Sequence, residues 1–366
     1  MINIDLVLNN FYQIHSVDND NIEEFISPHN SKRRYLFGRN KYSHILSEIF
    51  DIEAFVDDFA EKNTFWQGKP IINANFLPDD AIVVNCSMSI YPISVLKRLS
   101  SVKVSTVLAY IDFCRYFSDK KVPLPEFVKQ SRKDVFNNLL KWKKISELLS
   151  DSKSKKTLDD LIYYRLTGDY YNMRLYSVRF QEQYFEPFLN QHDTGIFVDC
   201  GGFDGDTTEE FCKRYPNYRK VYLFEPSSIN LAKAKQRLQG FRDIQFIPLG
   251  VSDREGKLRF NSEAGSASCV SNSGLYQISV TTLDKKIFEK VTFIKMDLEG
   301  WELKALQGST KHIEEDHPIL AISVYHHPSD FWRIPEFILN LRDDYQIFLR
   351  HYTEGWSESV MYFVPK

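Results

Sequence analysis

The sequence predicts an α/β chain with a smaller βαβ domain, a helical connector and a larger domain built on a seven-stranded sheet. Three observations lead there. Short apolar runs alternate with helical patterns over residues 33–110, give way to charged helical patterns over about 111–190, and return from Gly195 to the end. The first five runs of the second block are apolar, with polar residues collected at their C-terminal ends, which is how buried parallel strands read. The last two runs lie close together and read as an antiparallel pair closing the sheet. The domains are accordingly drawn at 1–110, 111–190 and 191–366.

Taken in order, RRYLFG, IEAFVDD and AIVVNC are strand candidates, with KYSHILSEIF a helix between the first two. That succession is a βαβ rhythm. In the connector, SRKDVFNNLLKWKKISELL and RLYSVRFQEQYFEPFL read as helices, and DSKSKK as the loop between them. Thr157 stands at capping-box spacing before Asp160. In the large domain the strand candidates are IFVDC, KVYLFEP, IQFIPLG, FIKMD, ILAISVY, YQIFLRHY and SVMYFVP.

Composition excludes several classes. Hydrophobic residues make up 43% and charged residues 26%, so the chain buries a core and is not disordered as a whole. A net charge of −3 provides no overall positive field for a nucleic-acid backbone. No apolar run approaches the roughly 20 residues of a membrane span. The opening segment MINIDLVLNNFYQIHSVDNDN has acids and no Lys or Arg, unlike a secretory signal. Five cysteines with no C-x-x-C pair suggest reduced thiols, and hence a cytoplasmic protein without a zinc site.

The chemistry-bearing signals fall at strand ends. In FVDCGGFDGDTTEEF a strand ends at Asp199, Gly201, Gly202 and Gly205 form a tight loop, and Thr207 with Glu210 reads as a capping box for the next helix. Glycines let backbone approach a ligand. Asp199, Asp204 and Asp206 would repel a pyrophosphate, so a cationic cofactor without phosphate, S-adenosylmethionine, fits better than a dinucleotide. Glu225, ending the next strand in VYLFEP, suits a ribose diol. In FIPLGVSD, Gly250 and Val251 are placed to pack on an adenine, with Asp253 at its polar edge.

In FIKMDLEGWELKALQG, Asp297 ends a strand and Glu299 and Gly300 turn the chain. These two carboxylates could hold the cofactor's ammonium, orient an acceptor or bind a metal. In AISVYHHPSDFW, His326 and His327 follow the neighbouring strand. Adjacent residues of an extended chain point oppositely, so one of them faces the site. His326 is the candidate general base, because imidazole titrates near neutrality. No histidine spacing of the H-x-x-x-H kind marks a metal site, and none is assigned.

Over these residues, from about Leu161 to the C-terminus, the chain resembles the FkbM family of S-adenosylmethionine-dependent methyltransferases. The resemblance is carried by LIYYRLTGD, EQYFEPFL, FVDCGGFDGDTT, YLFEPS, LGVSDREGKL, ISVTTLD, FIKMDLEGWELKALQG, YHHPSDFWRIPEFI and FLRHYTEGWSESVMY. It implies a class I methyltransferase sheet with its last strand antiparallel, and O-methylation, often of sugars or polyketide hydroxyls. It gives a cofactor role to Asp199, Gly201, Gly202, Asp204, Glu225 and Asp297. Trp301 departs from the small residue expected after the acidic turn. Residues 33–110 resemble the N-terminal domain of bacterial sugar acyltransferases, a small Rossmann-like fold that binds nucleotide sugars. There the expected G-x-G is replaced by Gly38-Arg39-Asn40-Lys41, which leaves Arg39 and Lys41 to attract a phosphate.

The resulting expectation is a cytoplasmic O-methyltransferase acting on a small-molecule or glycan acceptor, with His326 as base and Asp297 or Glu299 orienting it. It makes no use of nucleic acid. A homodimer is compatible with the sequence. The rival from another class is a scaffold that holds a cofactor or nucleotide sugar without turnover. An NAD-linked enzyme would share the fold and Glu225 but lacks G-x-G-x-x-G.

Overall fold

The computed structural model describes residues 19–28, 32–61, 63–118, 121–189, 195–261, 269–270 and 276–366. Two compact units form, and they interleave along the chain. The first comprises residues 1–137, 158–178 and 353–357; the second comprises 138–157, 179–352 and 358–366. Contacts rather than chain order define them, and the chain passes from one to the other inside the helix Ser152–Thr167.

The first unit holds a six-stranded sheet in the order β3-β4-β2-β1-β5-β6. Its strands are β1 (Arg34–Phe37), β2 (Ala54–Val56), β3 (Phe65–Trp66), β4 (Lys69–Ile72), β5 (Ile82–Asn85) and β6 (Thr106–Ala109). All pairings are parallel except the β3–β4 hairpin at one edge. Tyr35, Val56, Val83 and Leu99 pack into its core.

The second unit is organised around a seven-stranded sheet in the order β16-β17-β15-β14-β7-β8-β9. These are β7 (Ile196–Cys200), β8 (Lys220–Phe224), β9 (Ile244–Ile247), β14 (Phe293–Met296), β15 (Ile319–Ser323), β16 (Tyr345–His351) and β17 (Ser359–Pro365). Each contains or nearly coincides with an apolar run of the sequence. β17 inserts antiparallel between β15 and β16, as expected, and the rest run parallel. The β16–β17 turn is the segment 353–357, which belongs to the first unit.

One core cluster joins Phe197, Phe211, Phe293 and Tyr362, with the Phe197 and Phe211 rings stacked at 4.1 Å. Such aromatic pairs add about 0.5–1.5 kcal/mol beyond the area they bury. Another joins Leu223, Leu231, Ala234 and Leu238, from β8 and the segment carrying the helix Ser228–Arg237. A four-stranded sheet in the order β10-β13-β11-β12 is interposed in the chain between β9 and β14. It consists of β10 (Gly250–Val251), β11 (Gly256–Asn261), β12 (Cys269–Val270) and β13 (Tyr276–Thr281).

Several local expectations are corrected. RLYSVRFQEQYFEPFL forms short 3₁₀ turns, not an α-helix. Its backbone donors go elsewhere: Arg179 N donates to Tyr352 O, and Tyr184 N to the Tyr362 hydroxyl. Tyr184 itself is left-handed at φ 72°. DSKSKK starts a helix, because the Asp151 carboxylate accepts the Ser154 N–H at 2.7 Å and so caps it. Thr157 then lies inside that helix and caps nothing. The single helix expected across 131–149 breaks at Asn138, whose φ of −129° is not helical. Finally, Gly205, in the left-handed region at φ 86°, starts the helix Asp206–Arg214. Thr207 and Glu210 therefore sit inside that helix rather than forming its capping box, and Glu210 pairs with Arg214 at 2.6 Å.

Candidate active site

The carboxyl ends of β8, β7, β14 and β15 lie side by side, and the residues that follow them build one acidic edge. At the end of β7, Asp199 is fully buried and already satisfied. Its Oδ1 pairs with Lys295 Nζ at 2.9 Å and its Oδ2 accepts the Thr208 hydroxyl at 2.7 Å. Lys295 also donates to the Gly201 carbonyl at 2.8 Å. Burial works against the ammonium, but Asp199 and then Asp297 outweigh it and raise its pKa. Asp199 thus holds the glycine loop through Lys295.

At Gly201 and Gly202 that loop has no room for a side chain. A Cβ on Gly201, at φ 83°, would meet the Asp297 carbonyl oxygen at 2.0 Å, and one on Gly202 would meet Leu223 at 2.5 Å. Gly201 N and Gly202 N both donate to Phe224 O. Glu225 faces the loop. Its Oε2 accepts the Phe203 N–H at 3.0 Å and its Oε1 the Ser227 N–H at 2.7 Å. Burial raises its pKa to about 7 against the pull of those two donors. Each oxygen keeps a lone pair for a further donor such as a ribose hydroxyl.

The other acids of the loop point away from such a role. Asp204 pairs with Arg237 at 2.6 Å, and Asp206 is exposed at the helix start. Thr207 follows on that first turn. Gly250 and Val251 are buried in β10, and a Cβ on Gly250 would lie 3.2 Å from Val280 and 4.0 Å from Pro226, which follows Glu225. Asp253 pairs with Lys304 at 2.8 Å. Trp301 donates its indole N–H to the Ser252 hydroxyl at 3.1 Å, tying the acidic turn to the segment after β10.

The turn after β14 brings Asp297, Glu299 and Glu302 to one imidazole. Two left-handed residues, Glu299 at φ 53° and Gly300 at φ 93°, make this possible. A non-glycine residue in that region is uncommon and clusters at functional sites. His326 Nε2 lies 3.2 Å from Glu299 and 3.6 Å from Asp297, and its Nδ1 lies 3.0 Å from Glu302. Burial disfavours the imidazolium, but Glu302, Glu299 and Asp297 together raise the His326 pKa well above its ordinary value. Burial likewise raises Glu299, whereas for Glu302 the His326 charge overcomes burial and lowers it. His327 turns the other way and packs on Gly300, whose Cβ position would lie 2.5 Å from its ring.

Sequence reasoning missed several contributors. Tyr184, far upstream, donates its hydroxyl to Asp297 Oδ2 at 2.8 Å. Glu358, at the start of the final strand segment, accepts from Gln183 at 2.8 Å and is raised by burial and Asp297 to about 7. Asp330 accepts the His327 N–H and is raised by burial and Glu302 to about 7. Lys295 had a readable signal: a lysine amid FIKM, a buried strand, requires a partner.

In the first unit, the crevice beyond β1 and β5 is the corresponding ligand position. Its helix N-termini are capped by the protein itself. The Asn40 side chain accepts from Tyr42 N and Ser43 N, and Glu354 accepts from Ser94 N at 2.7 Å and its hydroxyl at 2.6 Å. Arg39 pairs with Asp57 at 2.6 Å.

The family model of the methyltransferase FkbM domain matches residues 199–347. Among solved structures, the methyltransferase FkbM from Methylobacillus flagellatus KT aligns over 98% of this chain and 96% of its own, with a TM-score of 0.73 and 24% identity. That likeness is one of fold. Two lesser ones are confined to about half the chain. An rRNA methylase from Streptococcus thermophilus covers 48% of this chain and 88% of its own, at 20% identity and a TM-score of 0.33. A SAM-dependent methyltransferase from Aquifex aeolicus covers 50% of this chain and 91% of its own, at 14% identity and a TM-score of 0.31. No curated protein matches the sequence. The second unit therefore carries a match to the FkbM methyltransferase domain, and methyl transfer is the chemistry that this match supports.

Proposed function

We propose that the protein is an S-adenosylmethionine-dependent O-methyltransferase acting on a hydroxyl of a sugar or glycoconjugate precursor in the cytoplasm. The observation that carries this reading is the acidic edge itself. Glu225 and the close-packed glycine loop stand at the ends of β8 and β7, and the Asp297–Glu299–His326 cluster follows β14 and β15. An anionic edge with a backbone cradle suits a cationic cofactor that lacks phosphate. When bound, that cofactor supplies a methyl group already activated on a sulfonium.

The chain's own residues then have three tasks. Glu225 accepts two hydroxyls, and Gly201, Gly202 and Gly205 let the backbone approach. Gly250 and Val251 supply an apolar wall, and Asp297 helps to fix the amino-acid end. Asp199 acts through Lys295 on the loop, while Asp204, Asp206 and Thr207 shape its exit into the helix. An alcohol needs its proton removed as it attacks. His326, Asp297 and Glu299 receive and hold that proton, with Glu302 orienting the imidazole. Cys86, Cys114, Cys200 and Cys212 are buried and outside any disulfide among the described residues, which supports a reducing compartment. Among the described residues no helix is long and apolar enough to cross a membrane. We further assign the first unit a packing role, since the donors that would hold a phosphate are taken by Asn40 and Glu354.

Calorimetric titration with S-adenosylhomocysteine, with NAD as control, tests the cofactor. Micromolar binding of the first alone, weakened by Glu225→Ala, is the expected result. His326→Ala should lower turnover by at least ~10²-fold on a responsive acceptor while cofactor affinity stays near wild type. Retained turnover would remove His326 from the reaction.

A further inference from the structure

We propose that Asp297, Glu302 and His326 form a binding site for one divalent cation of the manganese type. Each residue offers a ligand atom, and these atoms all lie within 4.8 Å of one another. Bonds of about 2.1 Å place neighbouring ligands of an octahedral ion about 3 Å apart and opposite ones about 4.2 Å apart, so modest side-chain adjustment closes the set. The donors are an imidazole and two carboxylates with no thiolate. Oxygen-rich sets with one imidazole suit Mn²⁺ rather than the sulfur-bound metals.

An acidic cluster alone would not carry this. The second observation is that buried polar atoms here lack partners. Glu302 Oε2, Asp297 Oδ1 and both ring nitrogens of His326 form no hydrogen bond, the ring nitrogens having only the 3.0–3.6 Å ion-pair contacts within the cluster, although the Glu302 and His326 side chains are only 0% and 8% exposed. Buried polar atoms are nearly always paired, and an orphaned set that converges calls for a ligand. The remaining valences are already used in ways that leave these atoms directed inward. Glu302 Oε1 accepts the Leu298 N–H at 2.7 Å, and Asp297 Oδ2 accepts the Tyr184 hydroxyl at 2.8 Å. These contacts resemble the outer-sphere hydrogen bonds that orient metal ligands. Glu299, whose Oε2 is 3.2 Å from His326, adds a further carboxylate at the rim. The nearby ammonium of Lys295 is committed to Asp199 and the Gly201 carbonyl.

The test is a titration of chelator-treated full-length protein with MnCl₂, in which free Mn²⁺ is read by its electron paramagnetic resonance signal. Neither cofactor nor acceptor is present, so the outcome is independent of methyl transfer. One Mn²⁺ per chain is expected to bind. Asp297→Asn and His326→Gln should each weaken it by at least ~10-fold, while Glu289→Gln, an acid outside the cluster, leaves it unchanged. Circular dichroism of each variant shows that it is folded. Glu302→Gln is the less secure probe, since Glu302 also clamps the turn, so the first two variants decide. Absence of stoichiometric binding at millimolar Mn²⁺ would overturn the proposal, leaving an internal ion cluster only. Binding that is equally strong in both variants would overturn it too.

Discussion

Removing the Lys295 ammonium exposes how the site is braced. In Lys295→Met the apolar stem is kept and the charge is lost, which strands Asp199. Both side chains are sequestered, at 3% and 0% exposure, and the contact is 2.9 Å. Breaking one half of such a buried pair costs about 3–5 kcal/mol, because the remaining charge stays desolvated. The Thr208 hydroxyl still donates to Asp199 but supplies no countercharge. For a domain of this size each kcal/mol moves Tm by about 2–4 °C, so the midpoint should fall by roughly 6–20 °C. Differential scanning fluorimetry and urea unfolding read this directly. The double variant Asp199→Asn/Lys295→Met removes both charges and should recover at least ~2 kcal/mol of the loss, the signature of coupling between two contacting sites. A single-variant loss below ~1 kcal/mol would refute the reasoning, as would strictly additive costs.

Other consequences are equally specific. Gly201→Ala drives a Cβ to 2.0 Å from the Asp297 carbonyl at a φ of 83°, and should cost about 2–5 kcal/mol with loss of S-adenosylhomocysteine binding. Gly240→Ala, with nothing within 4 Å of the new Cβ, should leave thermal unfolding and binding unchanged. Glu225 has a raised pKa of about 7, and hydroxyl donors from a ribose would favour its ionised form and pull that value down. Cofactor binding near pH 7 should then release a proton, and affinity should rise from pH 6 to pH 8. Calorimetry in buffers of different ionisation enthalpy measures the release, and its persistence in Glu225→Ala would assign it to another group.

Five strands of the large sheet were legible because each is an apolar run with polar residues at its C-terminal end, and β16 and β17 because two strand-like runs lie a short turn apart. The four-stranded sheet was not. β10 is two residues long, β11 is exposed at Gly256, Lys257 and Arg259, and β13 alternates exposed Gln277 and Ser279 with buried Ile278 and Val280, so none gives a continuous apolar signal. The segment before β7 misled for a different reason. RLYSVRFQEQYFEPFL has helical composition, yet its backbone donors are captured by Tyr352 and Tyr362, residues more than a hundred positions away. Propensity is a weak prior that tertiary partners override. The interleaved units follow the same logic: residues 353–357 fold with the N-terminal segment, a fact no local window contains.

In the site, residues at strand ends were visible and those that act on them were not. Asp297 and His326 stand where a parallel sheet exposes its carboxyl edge. Glu302 reads in WELKAL as an ordinary first-turn acid favoured by the helix dipole. Its full burial against His326 appears only when the turn through Glu299 and Gly300 folds the chain back. The same folding changes the chemistry. Taken alone, His326 is a base titrating near neutrality. Among Glu302, Glu299 and Asp297 its pKa is raised well above the ordinary value, because three carboxylates outweigh its burial. Whenever the ring carries both protons, it accepts an acceptor's proton only after one of its own has been displaced. A cation bound at the cluster would displace that proton but occupy the ring's lone pair itself, since metal ligation requires the neutral ring, so a metal-bound His326 is not the base. The general-base role and the cation site are thus physically linked: whichever positive charge the carboxylates hold decides what His326 can do.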